Sequence, residues 1–314
     1  MLSYLLVRLL RWGTGLFLIL FITYAMMYYG AGDPIERMFL DADDVAVDQV
    51  AMDALRKKYG LDKPFLYQFA SYLNHLLHGD LGYSIREKRP VNEMVAATLP
   101  ISLQLGIAAT FFAALIGIPL GIMAATRHNS GLDYAIVGGV NLANAFPVYV
   151  TGPLLILFLV VGLKVIDVPW GWNGLFSKQS ILPILVLTLV PLPIVVRQTR
   201  SAVLEVKGED YIRTARAKGL KERDVLFGHM LRPVLMPVLT ALGLVAITLV
   251  NGAIFVELIF GIPGFGGLTL EGLLKVDYPV IMATVLIGAI IVMVTNFLVD
   301  LAYPLLDARV MRGS

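Results

Sequence analysis

Long stretches without any charged residue alternate along the chain with shorter polar segments. Each of these stretches has about 18 residues or more, which is the length that an α-helix needs to cross the hydrocarbon core of a bilayer. Ionised side chains are costly in that core, so the pattern predicts six transmembrane helices. The stretches are Trp12–Gly32, Met94–Thr126, Tyr134–Leu163, Gln179–Val196, Pro233–Val256 and Tyr278–Val299.

Composition excludes several other classes of protein. The 314 residues are 58% hydrophobic and only 15% charged, whereas soluble domains carry about 25% charged residues. Six buried helices of a soluble protein would therefore leave too little polar surface. The sequence contains no cysteine, which excludes disulfides, thiolate catalysis and cysteine-ligated metals. A net charge of +2 is too small for a nucleic-acid-binding surface.

Basic residues indicate which side of the membrane each connection occupies. Residues 197–232 carry the densest group of lysines and arginines, and such segments lie in the cytoplasm. An even number of spans then places both termini in the cytoplasm, and residues 33–93, 164–178 and 257–277 outside. We expect an N-terminal span (1–32), an extracytoplasmic helical segment (33–93), a five-helix core (94–308) that includes the cytoplasmic loop 197–232, and a cytoplasmic tail (309–314).

The long outer segment has the pattern of two amphipathic helices. The first begins after a group of aspartates and ends in three basic residues before Gly60, and the second follows Pro64 and stops near Gly79. We expect them to pack over the outer mouth or to rest on the membrane surface, although a solvated cap without a further role fits the pattern equally well. The aspartates and the basic residues are Asp41, Asp43, Asp44, Arg56, Lys57 and Lys58.

The sequence offers little chemistry for catalysis or for ion coupling. His75 and His78 are three residues apart, but a third metal ligand is missing, so we predict neither a metal site nor catalytic residues. No charged residue lies within the six stretches, and the nearest acids, Glu257 and Asp300, lie at their ends. Proton- or ion-coupled carriers use such residues near the midplane. The energy for any transport must therefore come from a partner.

A glycine cluster follows the fifth apolar stretch. It lacks the spacing and the lysine of a phosphate-binding loop. We interpret it as a turn in an outer re-entrant loop, where glycine and proline permit tight backbone geometry. Its residues are Gly261, Pro263, Gly264, Gly266 and Gly267.

The basic loop contains one short predicted helix. Glu209 and Asp210 stand at its start, good helix formers follow, and Gly219 ends it. Ala215 and Ala217 give a low surface between charged side chains, which would suit the groove of another protein. A solvated connector is the alternative.

Several stretches together resemble one family. The run DYIRTARAKGL (Asp210–Leu220), followed by His229-Met230-Leu231-Arg232 and Pro237, resembles the coupling-helix loop of permease subunits in ABC importers of the dipeptide/oligopeptide/nickel family. Arg213 and Thr214 depart from the general motif, which has Glu and Ala there. Further similar stretches, which agree in order and spacing, are Tyr59–Val91, Phe255–Leu268, Asp277–Ile281 and Asn296–Val310.

The resemblance implies an all-α integral membrane protein of the type I importer fold, with the outer segment between spans 1 and 2 and the coupling helix between spans 4 and 5. It implies the first, B-type permease subunit in a bacterial or archaeal inner membrane. The implied partners are a paralogous second permease, two ATPase subunits that bind ATP and Mg²⁺, and an extracytoplasmic binding protein. This chain itself is then not an enzyme and binds no cofactor. The implied ATPase contacts are Asp210, Tyr211, Arg213, Thr214, Ala215, Arg216, Ala217, Lys218 and Gly219.

The cargo and its path are less well defined. Peptides are the expected cargo, while nickel chelates, glutathione and oligosaccharides stay open within the same family. Asn141, Asn144 and Asn251 are the candidate path-lining residues, although polar groups in spans also join helices. Prolines in the third and fourth stretches could break those helices: Pro147, Pro153, Pro183, Pro191 and Pro193. A self-sufficient channel or secondary carrier is the alternative class.

Overall fold

A computed structural model describes residues 2–40 and 49–306 of the chain, with side-chain positions for 10–39, 49–249 and 253–302. Helices dominate the described residues, and a single antiparallel bridge there joins Tyr83 to Pro90. The aspartates at 41, 43 and 44 and the tail 309–314 lie outside the described residues.

Four helices are long and apolar enough to cross a membrane without a break. They coincide with the first, second, fifth and sixth predicted stretches. Their apolar regions are Leu10–Ala31, Val91–Thr126, Glu222–Leu249 and Tyr278–Ala302.

The third and fourth predicted stretches are broken helices. Gly131–Ala143 and Val148–Gly162 meet at an angle of 94°, and Lys178–Leu189 and Leu192–Lys207 meet at 49°. Pro147 lies in the first break and Pro191 in the second, as we predicted from the helix-breaking effect of proline. Pro153 and Pro183 are accommodated inside their helices. A third pair of short apolar helices, Ile254–Phe260 and Phe265–Leu274, flanks the glycine cluster.

The chain divides into two compact units, and the first comprises Met1–Pro100 and Gly264–Met293. Both predicted outer helices are present in it, and the structure adds a short helix, Pro34–Leu40, that the sequence pattern did not indicate. Its helices are α1 (Leu2–Met26, continued by a π-helical turn, Met27–Ala31), α2 (Pro34–Leu40), α3 (Gln49–Lys58), α4 (Phe65–Leu77), the start of α5 (Val91–Thr126), α14 (Phe265–Leu274) and the start of α15 (Tyr278–Leu306).

The first unit holds the segment between α1 and α5 by an apolar cluster and a buried carboxylate. Phe69 of α4 packs edge-on against Phe21 of α1, and Tyr24 donates a hydrogen bond to Gln68. Asp277 is 2% exposed. It accepts hydrogen bonds from Ser84 Oγ (2.5 Å) and from the backbone N–H of Ile85 (3.3 Å) and Arg86 (3.2 Å). The turn at residues 84–86 is thereby fixed to the start of α15.

The second unit comprises Ile101–Pro263 and Val294–Ser314. One apolar cluster joins α9 to α12, and a second joins α8 to α12 and α13. Besides the rest of α5 and of α15, its helices are α6 (Gly131–Ala143), α7 (Val148–Leu155, continued by a π-helical segment, Ile156–Gly162), α8 (Lys178–Leu189), α9 (Leu192–Lys207), α10 (Asp210–Ala217), α11 (Glu222–Val225, continued by a π-helical turn, Leu226–Met230), α12 (Leu231–Gly252) and α13 (Ile254–Phe260).

Two glycines let α5 approach α9 closely. A Cβ added at Gly117 would lie 2.8 Å from the Val195 side chain. A Cβ at Gly121 would lie 2.6 Å from Thr199 Cβ and 2.8 Å from the Val196 carbonyl oxygen. Small residues four apart commonly form such contacts between helices in membranes, because packing rather than water drives their association.

This contact predicts a sharp response to side-chain volume. We expect Gly121→Val to lower the apparent melting temperature of the purified protein in detergent, because the added atoms overlap backbone as well as side chain. Overpacking typically costs about 1–3 kcal/mol. Gly138→Ala is the control, since nothing lies within 4 Å of a Cβ built there. Equal melting temperatures for both variants and the wild type would contradict the close contact.

Candidate coupling site

The helix predicted in the basic loop is present as α10, and its ends have clear physical causes. Asp210 lies in the first turn, where a carboxylate interacts favourably with the helix dipole. The Thr214 hydroxyl donates to the Asp210 carbonyl at 2.9 Å. Beyond Lys218 the chain turns at Gly219, whose φ of +79° is a left-handed conformation that favours glycine.

One face of α10 is buried in the second unit. Ile212 is fully buried and Ala215 is 5% exposed. Both belong to the apolar cluster that contains Val203 of α9 and Val234 of α12. The sequence analysis expected Ala215 and Ala217 to share the outer surface, but only Ala217 is exposed. Ala215 instead attaches α10 to α9 and α12.

The opposite face of α10 is exposed and mostly polar. Tyr211 is 46% exposed. Partial burial, and then the negative charge of Glu209, raise the pKa of Tyr211 above its ordinary value, so its hydroxyl keeps its proton and can donate a hydrogen bond. We call this set the exposed face of α10: Asp210, Tyr211, Arg213, Thr214, Ala217 and Lys218.

Arg216 is turned toward the following helix of its own chain. Its Nε lies 2.7 Å from Glu222 Oε1 and its Nη2 lies 3.2 Å from Glu222 Oε2. This two-point ion pair joins α10 to the start of α11 and closes the turn at Gly219. Glu222 was not predicted as a partner of Arg216, although a complementary charge six residues away was an available signal in the sequence.

An ion pair connects α9 with α6, and it joins a buried aspartate to a partly exposed arginine. Arg200 Nε lies 2.7 Å from Asp133 Oδ1, and Arg200 Nη2 lies 2.7 Å from Asp133 Oδ2. Neither residue was predicted to have a functional role. Their separation of 67 residues leaves no local pattern from which to infer the contact.

The candidate path-lining asparagines are only partly described. The side chains of Asn141 and Asn144 are exposed near the C-terminal end of α6, where the Asn144 N–H caps the helix by bonding to the Val140 carbonyl at 3.2 Å. The side chain of Asn251 lies outside the described residues. The structure therefore places two amides near one helix end and does not describe the third.

The glycine cluster forms a turn between α13 and α14. Gly261 ends α13 with φ +63°, and a Cβ there would lie 2.5 Å from the Trp170 ring. The Gly171 N–H donates to the Phe260 carbonyl at 2.8 Å. Within the second unit, the connection after α7 is thus held against the end of α13. Pro263 is exposed, Gly264 precedes α14, and Gly266 is buried within it.

No group of three or more His, Asp or Glu side chains among the described residues has the geometry of a metal site. His78 is instead bound to its own helix, with Nδ1 2.8 Å from the Asn74 carbonyl oxygen.

The chain has extensive similarity to known transport proteins. Residues 117–312 match the family described as binding-protein-dependent transport system inner membrane component. The chain is 36% identical to the dipeptide transport system permease protein DppB of Escherichia coli (strain K12), across 92% of this chain and 93% of the relative. It is 35% identical to the oligopeptide transport system permease protein OppB of Salmonella typhimurium (strain LT2), across 99% of both.

A solved structure has a similar fold. A chain of the methionine ABC transporter MetNI, in an inward-facing conformation, superposes with a TM-score of 0.57 at 20% identity, across 68% of this chain and 96% of that chain. This likeness supports the predicted type I importer fold.

The turn at Gly261 yields a test that separates crowding from backbone strain. We expect Gly261→Ala to lower thermal stability in detergent more than Gly171→Ala, because both positions have positive φ but only a Cβ at Gly261 meets another side chain. Adding Trp170→Ala should recover part of the loss. Equal losses in both single variants would contradict the crowding.

Proposed function

Because the chain belongs to the family of inner membrane components of binding-protein-dependent transport systems, we propose that it is the first of two permease subunits in its importer. A paralogous second permease completes the translocation path. Two exposed amides at the C-terminal end of α6, Asn141 and Asn144, support such a partner, since polar groups in spans avoid lipid and face protein or a water-filled cavity.

The coupling helix is the observation that carries this proposal. Its inner face is buried with α9 and α12, and its outer face is polar and exposed. A surface helix fixed in this way suits docking on a second protein, here an ATPase subunit that binds ATP and Mg²⁺. Tyr211, Arg213, Thr214 and Lys218 make the contact, while Arg216 acts through Glu222 to hold the helix in place.

The packing supports a mechanism for energy transfer. Protein interiors are close-packed and transmit displacement, so a shift of α10 moves α9 and α12 with it. ATP binding draws the ATPase subunits together, moves the docked helix, and changes the spans from inward-open to outward-open. Hydrolysis resets them. The breaks at Pro147 and Pro191 supply bent segments of the kind that change direction in transporters.

Peptides are the proposed cargo. The two relatives are named for dipeptide and oligopeptide transport, and an extended peptide needs hydrogen-bonding partners along its path. The amides of Asn141, Asn144 and Asn251 supply such groups. An extracytoplasmic binding protein delivers the peptide, and we place the segment 33–93 and the turn at Gly261, Pro263, Gly264 and Gly266 on that side.

The proposed orientation of the chain in the membrane can be tested with reporter fusions. Fluorescent protein fused after residue 314 should fluoresce, and alkaline phosphatase inserted after Asn74 should be active, because the first folds in the cytoplasm and the second outside it. The reverse pattern would overturn the proposed topology and with it the docking role of α10.

The docking role gives a second prediction. In the reconstituted complex, Arg213→Glu should reduce both assembly with the ATPase subunits and ATP-dependent peptide uptake at least tenfold, because it reverses a charge on the exposed face. Arg89→Glu, an exposed reversal on the outer segment, is the matched control for ATPase assembly. Undiminished uptake and co-purification in Arg213→Glu would favour a self-sufficient channel or carrier.

The charge exchange Arg216→Glu with Glu222→Arg tests whether Arg216 holds α10 in place through Glu222 or contacts the ATPase directly. Arg216→Glu alone places two carboxylates together and should reduce uptake, whereas the double variant restores the ion pair and should recover at least half of the wild-type rate. Failure of the exchange to restore uptake would instead indicate that Arg216 contacts the ATPase directly.

A further inference from the structure

The ion pair between Asp133 and Arg200 links α9, the helix that precedes the coupling helix α10, to α6, the first half of the third span. Arg200 is on α9, seven residues before the helix ends at Lys207, and α10 begins three residues later at Asp210. Asp133 is in the first turn of α6. The pair therefore joins the helix that leads into α10 to the first half of a span broken at Pro147.

Asp133 is almost completely enclosed and has several partners. It is 1% exposed. Besides the two contacts from Arg200, it accepts a hydrogen bond from the Asn129 N–H at 2.9 Å. The Ser130 hydroxyl caps α6 by accepting from the Asp133 N–H at 3.4 Å. One carboxylate thus organises the turn between α5 and α6 and binds α9.

His128 completes the network from the exposed side. Its Nδ1 lies 2.8 Å from Arg200 Nη2 and 3.3 Å from Asp133 Oδ2. Arginine only donates hydrogen bonds. With its proton on Nε2, the ring accepts a hydrogen bond at Nδ1 from Arg200 Nη2. The histidine thus orients the guanidinium.

The ion pair fixes the position of α6 along α9, which the nearby apolar packing cannot do. Val140 of α6 packs with Leu192 and Val196 of α9, but apolar side chains can slide along one another. Two parallel hydrogen bonds between a guanidinium and a carboxylate fix both distance and orientation. Separating them would leave a buried carboxylate unpaired, which is strongly unfavourable, so the pair is retained while α9 moves.

We infer that Asp133 and Arg200 are positioning residues for transport, whose ion pair makes α6 follow α9 when the coupling helix is displaced. This inference rests on the proposed function, because it assumes that the displacement begins at α10. Neither residue belongs to the exposed face of α10. It transfers movement from the helix next to the coupling site to the third span.

The test combines a transport ratio with a distance. In the reconstituted complex with its partner permease, ATPase subunits and binding protein, Asp133→Asn and Arg200→Gln should lower peptide uptake per ATP hydrolysed at least fivefold, with ATP hydrolysis within twofold of the wild type. Arg200→Lys keeps the charge but loses the two-point geometry, and should give an intermediate ratio. Arg127→Gln, an exposed arginine in the same turn, is the control that should leave the ratio unchanged.

A distance measurement between α6 and α9 tests directly whether the two helices move together. The chain has no cysteine, so Ala135→Cys and Ser201→Cys, both exposed, admit spin labels on α6 and α9 without background. With the ion pair intact, the label distance should stay the same between nucleotide-free and ATP-trapped complexes. With Asp133→Asn or Arg200→Lys, it should shift or broaden on ATP trapping.

The outcomes separate this inference from the docking proposal. An unchanged uptake-to-ATP ratio together with an unchanged label distance in the folded variants would overturn the link. A variant that loses only thermal stability, with the ratio and the distance both normal, would also overturn it, since the pair would then serve folding alone. Failure of docking would be seen elsewhere, as undiminished uptake in Arg213→Glu.

Discussion

The burial of Ile212 and Ala215 beside α9 and α12 is the interaction on which the proposed mechanism depends. A short polar helix has little stability by itself, because helix nucleation is unfavourable and few residues follow it. Two apolar side chains in a shared cluster with Val203 and Val234 give α10 a fixed place. The same packing attaches this surface helix firmly to α9 and α12.

Helix α9 connects the features of the second unit. Gly117 and Gly121 bring α5 into close contact with it, and its apolar side chains join α10 and α12. Arg200 then binds α6 through Asp133. Steric fit, apolar packing and an ion pair differ in directionality, and together they leave α9 few ways to move independently of its neighbours. A displacement of α9 therefore moves the helices packed against it, α5, α6 and α12.

The first unit uses a different means of holding the segment between α1 and α5. The aromatic cluster of α1 and α4 supplies non-directional burial, while Asp277 satisfies one side-chain hydroxyl and two backbone N–H groups of the turn after Tyr83. Buried polar groups require such partners. The segment between α1 and α5 thereby becomes an ordered structure.

The apolar spans, the two helices α3 and α4, and α10 follow from the amino-acid sequence alone, because each is encoded by residues close together along the chain: charge-free stretches, helix formers and glycine stops. The sequence also indicated the breaks at Pro147 and Pro191, since proline acts locally. Tertiary structure alone decided that Ala215 points inward, that Arg216 pairs with Glu222 and that Arg200 reaches Asp133. Those outcomes depend on which helices become neighbours, and the packing that selects neighbours involves residues far apart in the chain.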